Sequence, residues 1–192
     1  MARAWMRVPL LALMVLSADV AQGAVAAASR PAERQAVGRV LDAWVSIVEK
    51  LVIPTADALP ESRYAYSPSD GEFKGVRTFA GQVKHLAAAN YQLGARILGE
   101  EPPAGTRGES APESVRTKAE ILEYARGSFA VLHRAATAID ETNLLEPIPG
   151  AANEEQKTRL GLIVDALLHA SNHYGQIVEY LRGNGIVPPA SR

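Results

Sequence analysis

Four stretches of this chain repeat apolar residues at intervals of three and four positions, which is the spacing of an amphipathic helix. They predict helices at residues 33–54, 78–98, 117–141 and 153–182. Segments that contain Pro and Gly separate them, and no stretch has the alternating pattern of a half-buried strand. The sequence therefore predicts an all-α fold, and specifically a four-helix bundle.

The first predicted helix is followed by an unusually long connection. Pro54 is predicted to end the helix because proline has no backbone N–H to continue it. Trp44 lies on the apolar stripe of this helix and is predicted to be a core residue. Residues 55–77 then form the connection, which favours an order of helices other than simple up-down-up-down. Its aromatic residues either tie the connection to the bundle or form one wall of a pocket, and they are Tyr64, Tyr66 and Phe73.

Two short motifs predict where later helices begin. Thr117 followed by Glu120 has the spacing of a capping box, in which each side chain bonds the backbone of the other residue. Asn153 followed by Gln156 has a similar spacing and is predicted to start the fourth helix.

The N-terminus is typical of a secretory signal. Arg3 and Arg7 precede a short apolar run at residues 8–16, and small residues suitable for cleavage follow at residues 21–23. We therefore expect export to the periplasm or the extracellular space; the alternatives are an uncleaved anchor and a wrongly assigned start. The predicted divisions are a signal peptide at 1–23, a flexible segment at 24–32 and the bundle domain at 33–190.

Charge and composition exclude several classes of partner and site. The formal net charge of −1 offers no basic surface for nucleic acid, so no nucleic-acid partner is expected. The apolar run at residues 8–16 is too short for a permanent membrane span. The chain has no cysteine, which excludes disulfides and thiolate metal ligands.

Histidines on two predicted helices indicate a metal site. His169 and His173 are four residues apart, so they lie on one helix face and can reach the same ion. His85 occupies a similar position at the edge of the second helix's apolar stripe. His133 borders the third helix's stripe without a histidine partner, so we leave it out of the metal site. The alternative for the three clustered histidines is a set of polar side chains that share hydrogen bonds.

Four further residues are candidates to orient a ligand imidazole or a water, or to line a pocket. Asp165 and Gln176 lie about one helical turn from the histidine pair, although Asp165 is equally explained as a solvated helix charge. Asn90 falls inside an apolar stripe and serves either as a structural hydrogen-bonding residue or as a pocket residue. Tyr64, in the long connection, is the fourth.

These residues stand in a recognisable pattern. The sequence at 77–85 with Asn90 and Tyr91, the stretch at 169–176 and the segment at 184–189 resemble the DinB-like (DinB/YfiT) metal-binding four-helix-bundle family. The resemblance covers approximately residues 33–190. It implies a bundle of that type in which His85, His169 and His173 bind one divalent ion, often zinc or nickel. It also implies pairing as a homodimer, and some such relatives transfer or isomerise with low-molecular-weight thiols.

The metal pattern supports two functions. Three imidazoles leave an open coordination position, which favours a metal-dependent enzyme that hydrolyses a small molecule or transfers a group on it. The residue after His169 is Ala170, where a zinc protease would carry its catalytic Glu, so the sequence identifies no general base. Export also argues against thiol transfer, because small-thiol cofactors are chiefly cytosolic. The alternative is a non-catalytic metal-binding or stress-response protein of the cell envelope.

Overall fold

The bundle consists of four α-helices. The structure, a computed structural model, describes residues 36–68, 75–106, 110–151 and 153–192. The helices are α1 (Val37–Ala58), α2 (Phe79–Leu98), α3 (Lys118–Thr137) and α4 (Arg159–Gly183), with short 3₁₀ turns at Glu61–Arg63 and Pro189–Ser191. No β-strand occurs in these ranges, which confirms the predicted all-α four-helix bundle. The predicted signal peptide, the segment at 24–32 and Phe73 lie outside the described residues.

Neighbouring helices in the bundle are not always neighbours in sequence. Both α1 and α2 pack against α3 and α4, so α1 and α2 lie across the bundle from each other. Gln82 bonds Gln176, whereas Arg96, farther along α2, bonds Gln156 just before α4, which makes α2 and α4 antiparallel. The order therefore differs from simple up-down-up-down, as the sequence predicts.

The remaining helix directions follow from two more sets of contacts. Asn90 bonds Ser128, and Gly94, one turn later in α2, abuts Val131 in α3, so α2 and α3 run parallel. The 20 residues of α2 span about 30 Å, so the connection between α2 and α3 must return along the whole bundle. His133 bonds Asp42 while Lys118 at the start of α3 pairs with Asp57 near the end of α1, so α1 and α3 are antiparallel.

Capping residues fix where α3 and α2 begin and where α2 ends. The Thr117 and Glu120 capping box is present at the start of α3 and is confirmed. The Thr78 hydroxyl accepts a hydrogen bond from the Gly81 N–H at 3.1 Å and so caps α2. Gly99 ends α2 in the left-handed region, with φ of 68°.

The predicted end and core face of the first helix were wrong. Helix α1 continues through Pro54 to Ala58, because this stretch of the chain buries Val52, Ala56 and Leu59 completely and the apolar burial offsets the missing backbone hydrogen bond. The connection that follows is correspondingly shorter than predicted. Trp44 is 55% exposed and is not a core residue, since the core side of α1 instead carries Val45, Val48 and Val52.

The predicted start of the fourth helix was also wrong. Asn153 accepts a hydrogen bond from the Gln156 N–H at 3.0 Å, but this bond closes a turn ahead of the helix. The N-cap is Thr158, whose hydroxyl accepts from the Gly161 N–H. None of the helices in the described ranges is long and apolar enough to cross a membrane.

Candidate metal centre

The antiparallel packing of α2 and α4 brings three histidines together. His85 comes from α2, and His169 and His173 from α4; one ring nitrogen of each lies within 4.8 Å of the others. The Nε2 atoms of His85 and His169 are 3.1 Å apart, and the ring centroids of His85 and His173 are 4.5 Å apart. His85 and His173 are buried, whereas His169 is half-buried, so the cluster opens on the side of His169.

The spacing of these nitrogens suits a single divalent ion. Two nitrogens that bind one tetrahedral zinc ion at 2.0–2.1 Å lie about 3.3 Å from each other. The separation of 3.1 Å between the His85 and His169 nitrogens is close to that value. Imidazole is a ligand that both zinc and nickel accept. The three side chains therefore lie close enough together to share one divalent ion.

A glutamine that the sequence did not single out holds the third histidine. The Gln82 Nε2 atom donates to the Gln176 Oε1 atom at 2.8 Å, which turns the Gln82 carbonyl oxygen toward His173. That oxygen lies 2.9 Å from His173 Nδ1. Because a carbonyl oxygen can only accept, Nδ1 carries the hydrogen and the Nε2 lone pair is left for a metal.

The environment of His173 also keeps its imidazole uncharged. Burial, followed by the neighbouring His169 and His85 and the positive charge of Arg77, lowers the pKa of His173 to about 4. An imidazole must be neutral to bind a metal. His173 is therefore ready to act as a ligand across the neutral pH range.

Comparison with known proteins identifies the family. The family model for the DinB superfamily matches residues 24–177, a range that includes all three histidines. The chain belongs to the DinB superfamily. This confirms the resemblance and, with the four helices, the bundle type. No match was found among curated proteins.

Two clefts border the histidine cluster of this DinB superfamily bundle. The first, of about 300 Å³, is lined by His169 and Asp165 of α4 and by side chains of α2 that include Arg96. The second, of about 260 Å³, is lined by His85 together with Arg77 and Lys84. Each of these clefts is lined by one histidine of the cluster.

Asp165 and Gln176 both contact neighbours of the cluster. The Asp165 carboxylate accepts a hydrogen bond from Gln156 Nε2 at 2.7 Å, and Gln156 Oε1 accepts from Arg96 at 3.1 Å. Asp165 therefore lines the first cleft as part of a polar chain. Gln176 acts on His173 only through Gln82.

Asn90 lies away from the cluster. Its amide is fully buried and donates to the Ser128 hydroxyl at 3.3 Å, which ties α2 to α3. Asn90 does not line either cleft, and this placement agrees with the structural alternative for that residue.

The aromatic residues of the connection pack on the bundle and line neither cleft. The Tyr64 hydroxyl donates to the Ala56 carbonyl at 2.7 Å, and its ring packs edge-on against Phe79. Burial raises the pKa of Tyr64, so the group stays protonated. Tyr66 packs edge-on against Tyr180. Both side chains tie the connection to the bundle.

His133 takes part in a contact between α3 and α1 and not in the histidine cluster. Its Nδ1 atom lies 2.5 Å from Asp42 and its Nε2 atom 3.1 Å from Glu49, so it joins α3 to α1. Burial opposes its protonation, but the hydrogen bonds to the two carboxylates outweigh burial and raise the pKa of His133. This placement is consistent with leaving His133 out of the metal site.

Proposed function

We propose that this protein is an exported enzyme in which His85, His169 and His173 hold one divalent ion, zinc or nickel. Its reaction would be hydrolysis of a small molecule or group transfer on it. The observation that carries the proposal is the cluster of three ring nitrogens within 4.8 Å, in which His169 is half-buried. A closed structural site would need a fourth protein ligand, whereas three imidazoles leave room for water or substrate.

When bound, the ion would supply Lewis acidity toward a water or a substrate oxygen. The protein's own residues prepare the site for it. Gln82 holds His173 in the tautomer that leaves Nε2 free. Asp165 lies one helical turn before His169 in the wall of the same cleft, where it can accept a proton or orient a water.

Metal analysis of the purified protein, followed by a hydrolase and transferase substrate panel, tests this function. We expect one equivalent of metal and an activity that depends on it. The His173→Ala variant should lose both. Activity that His173→Ala leaves unchanged would contradict the mechanism.

A non-catalytic role in metal binding or the stress response is the second candidate. It is favoured by one observation: Asp165, the carboxylate that lines the first cleft, is already bonded to Gln156. If that bond persists on substrate binding, the site has no free general base among the residues that line the described clefts. Stoichiometric metal without activity across the panel, and the same result for Asp165→Asn, would support this role.

Export is proposed from the basic and apolar segments at the N-terminus and the small residues at 21–23. We expect the secreted protein to lack about its first 23 residues. Intact-mass measurement after cell fractionation decides the matter, and a cytoplasmic protein that retains Met1 would refute it.

Pairing as a homodimer is proposed through an apolar groove between α1 and α4. The groove has a volume of about 530 Å³, and its walls include Trp44 and Leu168, which are 55% and 66% exposed. Contiguous apolar surface of this kind is typical of an interaction site, and a second copy can present the same face about a twofold axis. Sedimentation equilibrium should show a dimer that Leu168→Glu dissociates; a monomer at micromolar concentration would argue against pairing.

A further inference from the structure

The cleft beside His85 has a chemistry of its own. We propose that it binds the anionic group, a carboxylate or a phosphate, of the small molecule that acts at the metal centre. This inference names the substrate class of the proposed function and therefore rests on it. It is carried by three features of the cleft: its donors, their placement and the space between them.

The side chains of this cleft are donors of hydrogen bonds. Among the described residues that line it, the polar side chains apart from His85 are those of Arg77, Lys84 and Ser110, and none of these described residues is acidic. Guanidinium and ammonium groups have no acceptor, whereas carboxylate and phosphate oxygens have no donor when ionised. Pairs between such groups are among the stronger hydrogen bonds in proteins. The cleft is therefore complementary to an anion.

Lys84 is held over the cleft by the loop before α3. Its Nζ atom donates to the Val115 carbonyl at 3.0 Å, and its side chain is half-buried. An ammonium group has three hydrogens, so this one bond leaves others to meet a ligand. Lys84 lines the same cleft as His85 of the histidine cluster.

Arg77 also lines the cleft and lies just before Thr78, the N-cap of α2. Its carbonyl accepts a hydrogen bond from the Tyr180 hydroxyl at 2.6 Å, which fixes its backbone against α4. Arg77 and His85 line the same cleft.

Gly81 keeps the space between these groups open. Positions 81 and 85 are four residues apart in α2 and so share a face of that helix, while Arg77 lies just ahead of the helix. A Cβ atom at position 81 would come within 3.2 Å of the Thr78 Oγ1 atom and 3.3 Å of the Arg77 Cβ atom. The glycine leaves this part of the cleft open for a ligand that reaches both Arg77 and His85.

The cleft on the other side of the cluster differs in charge. There the amide of Gln156 joins Arg96 to Asp165, so that a cation and an anion are linked within one wall. Donors and acceptors are mixed in that cleft. An anionic ligand is therefore better accommodated beside His85.

Isothermal titration calorimetry with inorganic phosphate and with malonate tests the proposal at fixed ionic strength, on metal-free and nickel-loaded protein. The test variant combines Arg77→Gln with Lys84→Gln, because glutamine retains a donor for the Val115 carbonyl. The matched control combines Arg39→Gln with Lys50→Gln, which removes the same charge from exposed positions on α1. Circular dichroism and metal content are measured for every variant.

We expect at least one probe to bind the nickel-loaded protein, and the Arg77 and Lys84 variant to weaken that binding about tenfold or more with metal content unchanged. The control should bind as the wild type does. Absence of binding by both probes, or equal weakening in the control, would overturn the proposal. If the wild type takes up no metal, the proposed function fails, while residual phosphate or malonate binding that needs Arg77 and Lys84 would still support the anion cleft.

Discussion

Gln82 should control metal affinity although it contacts no metal. In the structure it is buried and bonds His173 on one side and Gln176 on the other. Replacement by leucine, of similar size, removes the acceptor that holds the hydrogen on His173 Nδ1. The imidazole then has no partner for that N–H and is free to place its hydrogen on Nε2, where it would block the ion.

The expected loss follows from the energy of the hydrogen bond. Removal of an outer partner of a ligating histidine typically weakens metal affinity about 10- to 100-fold. That range corresponds to about 1.4–2.7 kcal/mol, which is close to the cost of leaving a buried donor unpaired. The Gln176→Leu variant should cost less, because Gln176 only orients the Gln82 amide and does not touch His173.

The assay is a competition titration of zinc and nickel against a chromophoric chelator. Wild type, Gln82→Leu, Gln176→Leu and the double variant form a cycle, so the coupling between the two glutamines is measured directly. Gln82→Glu is a control that retains an acceptor for His173 Nδ1 and should preserve metal affinity. Its buried carboxylate should lower the stability of the metal-free protein.

A Gln82→Leu variant that is folded and binds metal within twofold of the wild type would refute the role of Gln82 in metal affinity. A loss of metal affinity in Gln176→Leu that equals or exceeds the loss in Gln82→Leu would also contradict this role. Gln176 would then not act on His173 through Gln82 alone.

Three further predictions concern the metal ligands and the packing of α1 against α3. His169→Ala should abolish stoichiometric metal by plasma mass spectrometry, whereas His133→Ala should leave it unchanged; equal metal in both would refute the ligand assignment. The pKa of His133 is raised by its carboxylate partners, so its contribution to stability should be fully present below about pH 6.5 and be lost as pH rises through the raised value. Urea unfolding of wild type and His133→Gln at several pH values checks this, and a difference that grows with pH would contradict it. Gly38→Ala should destabilise the fold by about 1–3 kcal/mol, because a Cβ there would lie 2.7 Å from the Ile139 carbonyl oxygen; an unchanged thermal midpoint would show that α1 shifts freely.

Local patterns in the sequence were enough to predict the number and type of the helices, because each helix buries one periodic face. They failed where tertiary packing overrides a local preference. Pro54 would end an isolated helix, but in the bundle the turn that follows it is buried. Trp44 lies on an apolar stripe of α1 that the bundle leaves exposed, and periodicity alone cannot distinguish a stripe that faces the core from one that faces outward.

The candidate site was predictable to the extent that its residues share a helix. The spacing of His169 and His173 places both on one face. His85 was noted for its place at the edge of the second helix's apolar stripe, and the resemblance to the family joined it to that pair. Gln82 was missed because a single glutamine inside an apolar stripe has no spacing signature of its own. Its role comes from the antiparallel packing of α2 against α4, which brings residues 94 positions apart into contact. A buried amide one turn before a histidine was the available sequence clue.

The positive charge of the site links metal binding to anion binding in the cleft beside His85. Three imidazole ligands are neutral, so a divalent ion bound to them would keep its full charge in a largely buried site, which is unfavourable without a negative partner. Asp165 is engaged by Gln156, and Arg77 and Lys84 add to the positive charge. An anion in the cleft beside His85 would relieve this excess.

Thermodynamic linkage then requires two effects of equal size. Metal loading increases the affinity for phosphate or malonate by the same factor by which that anion increases the affinity for the metal. Titration in both orders measures the two factors. Equal factors above one would place the anion close to the metal centre, whereas factors of one would mean that ion and anion occupy sites that do not interact.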